Sequence, residues 1–156
     1  MLPTETMLQQ AAQDVAHEMF LFQVACQDLK LRINYQMWYV LARNLMDFFD
    51  TLPNERDKDA VLAGDFFHPP GTWHALRETI VRPGDYEDYR IAAHKRAAHL
   101  TYARAEFRRP GAVAFDPSPT ISQHLQELAR LFLTSLTETQ QGWFRASGFP
   151  LPWKAA

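Results

Sequence analysis

The sequence predicts an all-α protein: a bundle of four long helices with short helical pieces in a long second connection. Three observations point there. Every strongly patterned segment spaces its apolar residues three and four apart, the period that gathers them on one face of a helix. Period-two alternation, the mark of a half-buried strand, is essentially absent. The segments are separated by PNERDK, GDFFHPPGTW, PGD and RRPG, whose prolines and glycines stop helices.

The first helix is expected to begin near Pro3, with Leu8, Ala12, Val15, Met19, Phe22, Cys26 and Leu29 on one stripe. The second spans about 31 to 51, with a stripe of Met37, Trp38, Leu41, Leu45, Phe48 and Leu52, and is closed by Pro53 and Asn54. Residues 52 to 84 then form a connection too long for a plain turn. Helical pieces are expected in it at DAVLAG and TWHALRETIV, with Phe66, Phe67 and Trp73 pinning it across the bundle. The third long helix starts around Asp85, whose carboxylate suits a helix N-terminus, and carries DYEDYRIAAHKRAAHLTYARAEF until RRPG ends it. RRPGAVAFDP is the next connection. The last helix has Ser118 as N-cap and Pro119 at its first position, with Ile121, Leu125, Leu128, Phe132, Leu136 and Trp143 along one side.

A length of 156 residues, 47% of them hydrophobic and 22% charged, fits one globular domain over the whole chain. A formal net charge of -2 supplies no global attraction for nucleic acid or an anionic membrane, so any such binding must be local. Cys26 is the only cysteine, which excludes an intramolecular disulfide framework and a cysteine metal cluster. A reducing compartment suits it. MLPTETMLQQ lacks a basic stretch leading into an apolar one, and no apolar run approaches the ~18 residues of a membrane span. The expectation is a cytoplasmic protein with no membrane partner.

Within INYQMWYVLARNLMDFFD, the polar residues Arg43, Asn44 and Asp47 interrupt the most apolar stretch of the chain. At about 100° per residue, Leu45, Phe48 and Asn34 fall near the middle of the inward face centred on Leu41. Arg43 and Asp47 fall roughly opposite. They stand one turn apart and can pair on a solvated rim, for a few tenths of a kcal/mol if exposed. Asn44 lies on the edge of the stripe. Tyr39, Met46 and Phe49 face away from it, making the helix apolar almost all round and therefore buried on more than one side. If a neighbour covers that second side, the charges of Arg43 and Asp47 must be satisfied there.

The other polar concentration is HKRAAHLTYAR, residues 94 to 104. His94 and His99 stand about 140° apart on a helix, so they do not form the one-faced pair that binds a metal. No metal and no cofactor are expected. Arg90, Lys95, Arg96 and Arg104 make the segment basic, and Tyr86, Tyr89 and Tyr102 offer rings for stacking on bases, which leaves RNA as a candidate partner. Asp85, Glu87 and Asp88 dilute the charge of the first turn. The candidate binding residues are Arg43, Asn44, Asp47, His94, His99, Tyr102 and Arg104, with Asn44 and His99 expected to face each other between the second and third long helices. No GxSxG, GxxxxGK[ST] or GxGxxG motif is present. Cys26 sits on a packing seam, a place for a small hydrophobe rather than an activated thiol.

ARNLMDFF and AAHKRAAHLTYAR resemble helices of a group of uncharacterised bacterial helical proteins and, more distantly, of the HEPN superfamily, over about residues 30 to 105. Many HEPN proteins are dimeric ribonucleases with an Arg, often beside a polar residue such as Asn, followed one to two turns later by a His. Arg43 and Asn44 match the start of that pattern, but Phe48, Phe49 and Asp50 stand where the His belongs. The resemblance implies a helical bundle and a homodimer. Ribonuclease use of Arg43 and Asn44 would require His99 to replace the absent histidine from the facing helix. Two expectations follow: a non-enzymatic helical module that binds a protein or ligand, and alternatively a HEPN-like ribonuclease or nucleotide-binding protein.

Overall fold

The computed structural model describes residues 3–29, 32–55, 59–97 and 117–152. Helix α1, Glu5–Gln27, is capped by Thr4, whose hydroxyl oxygen accepts from the Met7 amide at 3.3 Å. Its buried face is Leu8, Ala12, Ala16, Met19, Phe22 and Ala25. The stripe thus runs slightly aside of the expected one: Val15 and Cys26 are half-buried on its flank. Helix α2, Arg32–Asp50, follows after a short turn. Asn34 does not face the core; its amide donates to the Asp28 carbonyl at 2.8 Å, closing the end of α1.

Helix α2 is the centre of the packing, in contact with α1 on one side and with α4 (Tyr86–Ala97) on another. That explains why Trp38, Tyr39, Leu41, Ala42, Leu45, Met46, Phe48 and Phe49 are all buried, more than a single stripe can hold. Leu52 falls past the end of the helix and is 40% exposed, outside the stripe in which its spacing had placed it.

The long connection contains 3-10 turns at Pro53–Glu55 and Ala63–Phe66 and a six-residue helix α3, Thr72–Arg77. Gly71, at φ +91°, turns the chain into α3 in a conformation that favours glycine. Where DAVLAG predicts a helical piece, only its end is helical, and TWHALRETIV shortens to α3. Phe66, Phe67 and Trp73 are buried and pin the connection, as their size predicts. The Trp73 indole donates to the Phe49 carbonyl at 2.8 Å. Beyond α4, the expected continuation of the third helix lies outside the described residues.

Helix α5, Pro119–Ser135, begins as predicted, with the Ser118 hydroxyl accepting from the Ile121 amide at 3.3 Å and Pro119 in the first turn. It does not run on to Trp143. The chain breaks at Leu136, and α6, Glu138–Arg145, starts anew. Thr137 and Gln140 form a reciprocal capping box, with the Gln140 amide donating to the Thr137 hydroxyl and the Thr137 amide donating to the Gln140 side chain. The Gln140 side chain also donates to the Phe66 carbonyl at 2.7 Å. The break turns Phe144 into the core and folds the tail onto α1, where Phe149 stacks on His17 and Phe20 at 5.1 Å each.

Phe132 of α5 lies at the middle of the core. The rings of Phe48, Phe66, Phe67, Trp73 and Phe144 surround it at 5.2–5.8 Å. Among the described residues every regular element is helical, and no helix is long and apolar enough to cross a membrane.

Candidate functional site

The carboxylate at the end of α2 lies where α3, α4 and α5 meet the helix. Asp50, the last residue of α2, is 11% exposed and accepts from three donors. The Tyr86 hydroxyl of α4 donates to its Oδ2 at 2.5 Å. Arg77 of α3 donates to Oδ1, and Arg82, from the turn before α4, reaches the same oxygen at 3.3 Å. Arg82 also lies over the Tyr86 ring at 4.9 Å, a cation–π arrangement. His124 of α5 meets the other side of that ring edge-on at 5.1 Å. One carboxylate therefore ties α3, α4 and the turn between them to the end of α2.

Burial governs the protonation of this cluster. The Tyr86 phenol is pushed far above its ordinary range by burial and by the neighbouring Asp50 charge, so it remains a hydrogen-bond donor. His124 is held below the usual histidine range by burial, with the Asp50 carboxylate opposing. His74 is lowered by burial and then by the Arg77 charge.

The sign for stability follows. A neutral His124 in the native state means that the unfolded chain binds the proton first, so the contribution of this group is complete above the unfolded value of 6.5. It is lost as pH falls below that value towards the depressed native one. The melting temperature is expected to drop between about pH 7.5 and 5, and to drop less in His124→Gln. Parallel melting curves for wild type and variant across that range would remove His124 from the account.

Further along the same face, Asp47 joins Arg43 and His94. The His94 Nε2 lies 3.0 Å from Asp47 Oδ1, and the Arg43 Nε lies 3.6 Å from Oδ2, with the Arg43 and Asp47 side chains 32% and 35% exposed. The rim pair is thus present, and α4 partly covers it and supplies a histidine. Arg90 is held by Glu87 at 2.9–3.1 Å. That hydrogen bond is the main cause that raises the arginine and lowers the acid from their ordinary ranges.

Asn44 departs from expectation. It is exposed, and its amide donates at 3.2 Å to Glu18 of α1. The edge of the stripe on which it sits faces α1 and not α4, so it does not join Arg43, Asp47 and His94. His99, Tyr102 and Arg104 lie outside the described residues. Tyr86 and Tyr89 are not free for stacking on bases: the first is buried and the second packs edge-on against Trp38 at 6.1 Å. Burial raises the Cys26 thiol above its ordinary range, against activation. Among the described residues no group of three or more potential ligands gathers as for a metal.

Asp50, Arg77, Arg82 and His124 were not legible as a site. Asp50 looked like a helix end, Arg77 and Arg82 lie in an unpatterned connection, and His124 is a single polar residue beside an apolar stripe. The one available signal was that Asp47 and Asp50 stand three apart, on the side of α2 that its apolar Tyr39, Met46 and Phe49 mark as covered. Fold and site together define an all-helical protein with an internal carboxylate clamp. No protein-family model, curated protein or solved structure matches the chain.

Proposed function

We propose that this chain is a non-enzymatic helical interaction module of the cytoplasm that pairs with a second copy of itself through α2. The observation that carries the reading is how α2 uses its polar groups. Asp47, Asp50 and Asn44 are engaged by His94 and Arg43, by Arg77, Arg82 and Tyr86, and by Glu18 of the same chain. The outward side of the helix carries a short apolar row by contrast, half-buried Met37 and exposed Val40, flanked by exposed Gln36 and buried Leu41. Gln36, Met37, Val40 and Leu41 line a shallow hollow of about 300 Å³, with Val40 42% exposed. Dimerisation would remove this row from water, and the HEPN-like resemblance implies the same association. Sedimentation equilibrium is expected to show a dimer, and Val40→Asp, which places a charge in the row without touching the core, to shift it to monomer. A wild-type monomer at high concentration would end the reading.

The Arg43, Asp47 and His94 cluster favours one rival, a HEPN-like ribonuclease, because a partly exposed histidine held by a carboxylate beside an arginine can serve as an acid or base. The proposed module leaves mixed RNA intact. Cleavage by wild type that disappears in folded His94→Ala or His99→Ala protein would establish the rival instead.

A further inference from the structure

The end of the clamp that faces solvent opens into a cavity of about 270 Å³ lined by Arg77, Glu78, Ile80, Val81, Arg82 and His124. This volume lies just under the range of about 300–1,000 Å³ typical of drug-sized ligands, which suits a smaller molecule. Two guanidinium groups border it, and each carries five N–H donors. Asp50 satisfies only a few of them. Arg82, 44% exposed, reaches Asp50 only at 3.3 Å, which leaves N–H groups of its guanidinium for the cavity. Guanidinium geometry matches a planar anion with two oxygens. Beside the arginines, Ile80 and Val81 form an apolar wall, and Val81 is 89% exposed.

We infer that this cavity binds a small organic carboxylate, its head group on Arg77 and Arg82 and its short aliphatic tail against Ile80 and Val81. Asp50 already offsets one of the two positive charges, and the exposed Glu78 stands on the rim, so a monoanion is favoured over a dianion such as phosphate. His124 closes the inner side. The inference deepens the reading of the chain as a binding module, and it rests on that reading. The tests differ, however: dimerisation and RNA cleavage are read on α2 and α4, whereas the cavity is read by ligand titration alone.

The full chain, ¹⁵N-labelled, should be titrated with pentanoate, 1-pentanol and inorganic phosphate while the resonances of residues 77–82 are followed. Pentanoate is expected to saturate these shifts, with pentanol and phosphate at least about tenfold weaker, since a charged hydrogen bond is worth about one such factor. Arg82→Gln should weaken pentanoate about tenfold. Val81→Asp, at a position too exposed to affect folding, should do the same, and Glu78→Gln should tighten binding. Unchanged melting temperatures for the Val81 and Glu78 variants keep the comparison on the ligand. Absence of saturable pentanoate binding, phosphate binding as tight as pentanoate, or indifference to both weakening variants would each overturn the assignment.

Discussion

Asp50→Ala should destabilise the protein by about 3–5 kcal/mol, the usual cost of removing one partner from a buried ion pair. The substitution leaves Arg77, 18% exposed, with an uncompensated charge. It also strands the Tyr86 hydroxyl, which is buried against Asp50. Arg82 adds little to the loss, because at 44% exposure it is already hydrated. Tyr86→Phe should cost only about 1 kcal/mol, since it removes one hydrogen bond and keeps the ring between Arg82 and His124. The double variant Asp50→Leu with Arg77→Met should regain much of the loss, because a buried ion pair is replaceable by apolar groups of similar volume. Chemical denaturation of the three variants provides the check. An Asp50→Ala protein as stable as wild type would show that the carboxylate does not hold α3 and α4 to α2.

A comparable loss, about 3–5 kcal/mol, is expected for Phe132→Ala. Phe132 is fully buried and touches rings from α2, the connection, α3 and α6. Several of these contacts are edge-to-face, a geometry favoured by the ring quadrupoles. Truncation would leave a void surrounded by aromatic rings, whose stiffness limits how far they can collapse into it. Phe132→Leu keeps most of the volume and should cost less. The denaturant midpoint should fall in both, with the slope unchanged. A Phe132→Ala loss under about 1 kcal/mol would show that this ring cluster is not the centre of the core.

The contrast between these two positions shows what could be read in advance. Phe132 belongs to a helical stripe, and its burial followed from spacing alone, whereas the Ser118 cap and the start of α1 near Pro3 followed from residue type and the pinning role of Phe66, Phe67 and Trp73 from their size. The break before α6 was also written locally, as Thr137 and Gln140 at capping-box spacing, but the apolar spacing from Leu136 to Trp143 runs across it and hides it. The clamp was not written locally at all. Asp50, Arg77, Tyr86 and His124 come from four elements, and their meeting depends on which side of α2 each neighbour occupies. The same ambiguity misplaced Asn44: helical angle put it on an edge of the stripe, and only the packing decides that this edge belongs to α1. Arg43 and Asp47 needed no such knowledge to be paired, since one helical turn joins them, whereas the histidine that completes the group comes from α4.

The turn at Leu136 has a consequence for cooperativity. Because α6 and the tail fold back on α1, and Gln140 holds the turn at Phe66, the first helix and the segment after α6 are in contact through His17, Phe20 and Phe149. Contacts of such sequence separation close a long loop, and the entropy of that closure is lost before the contacts compensate it. They are therefore expected to form after local packing rather than to nucleate it. A perturbation in α1 is therefore expected to loosen α6 and the tail, while α1 itself stays held by its larger interface with α2.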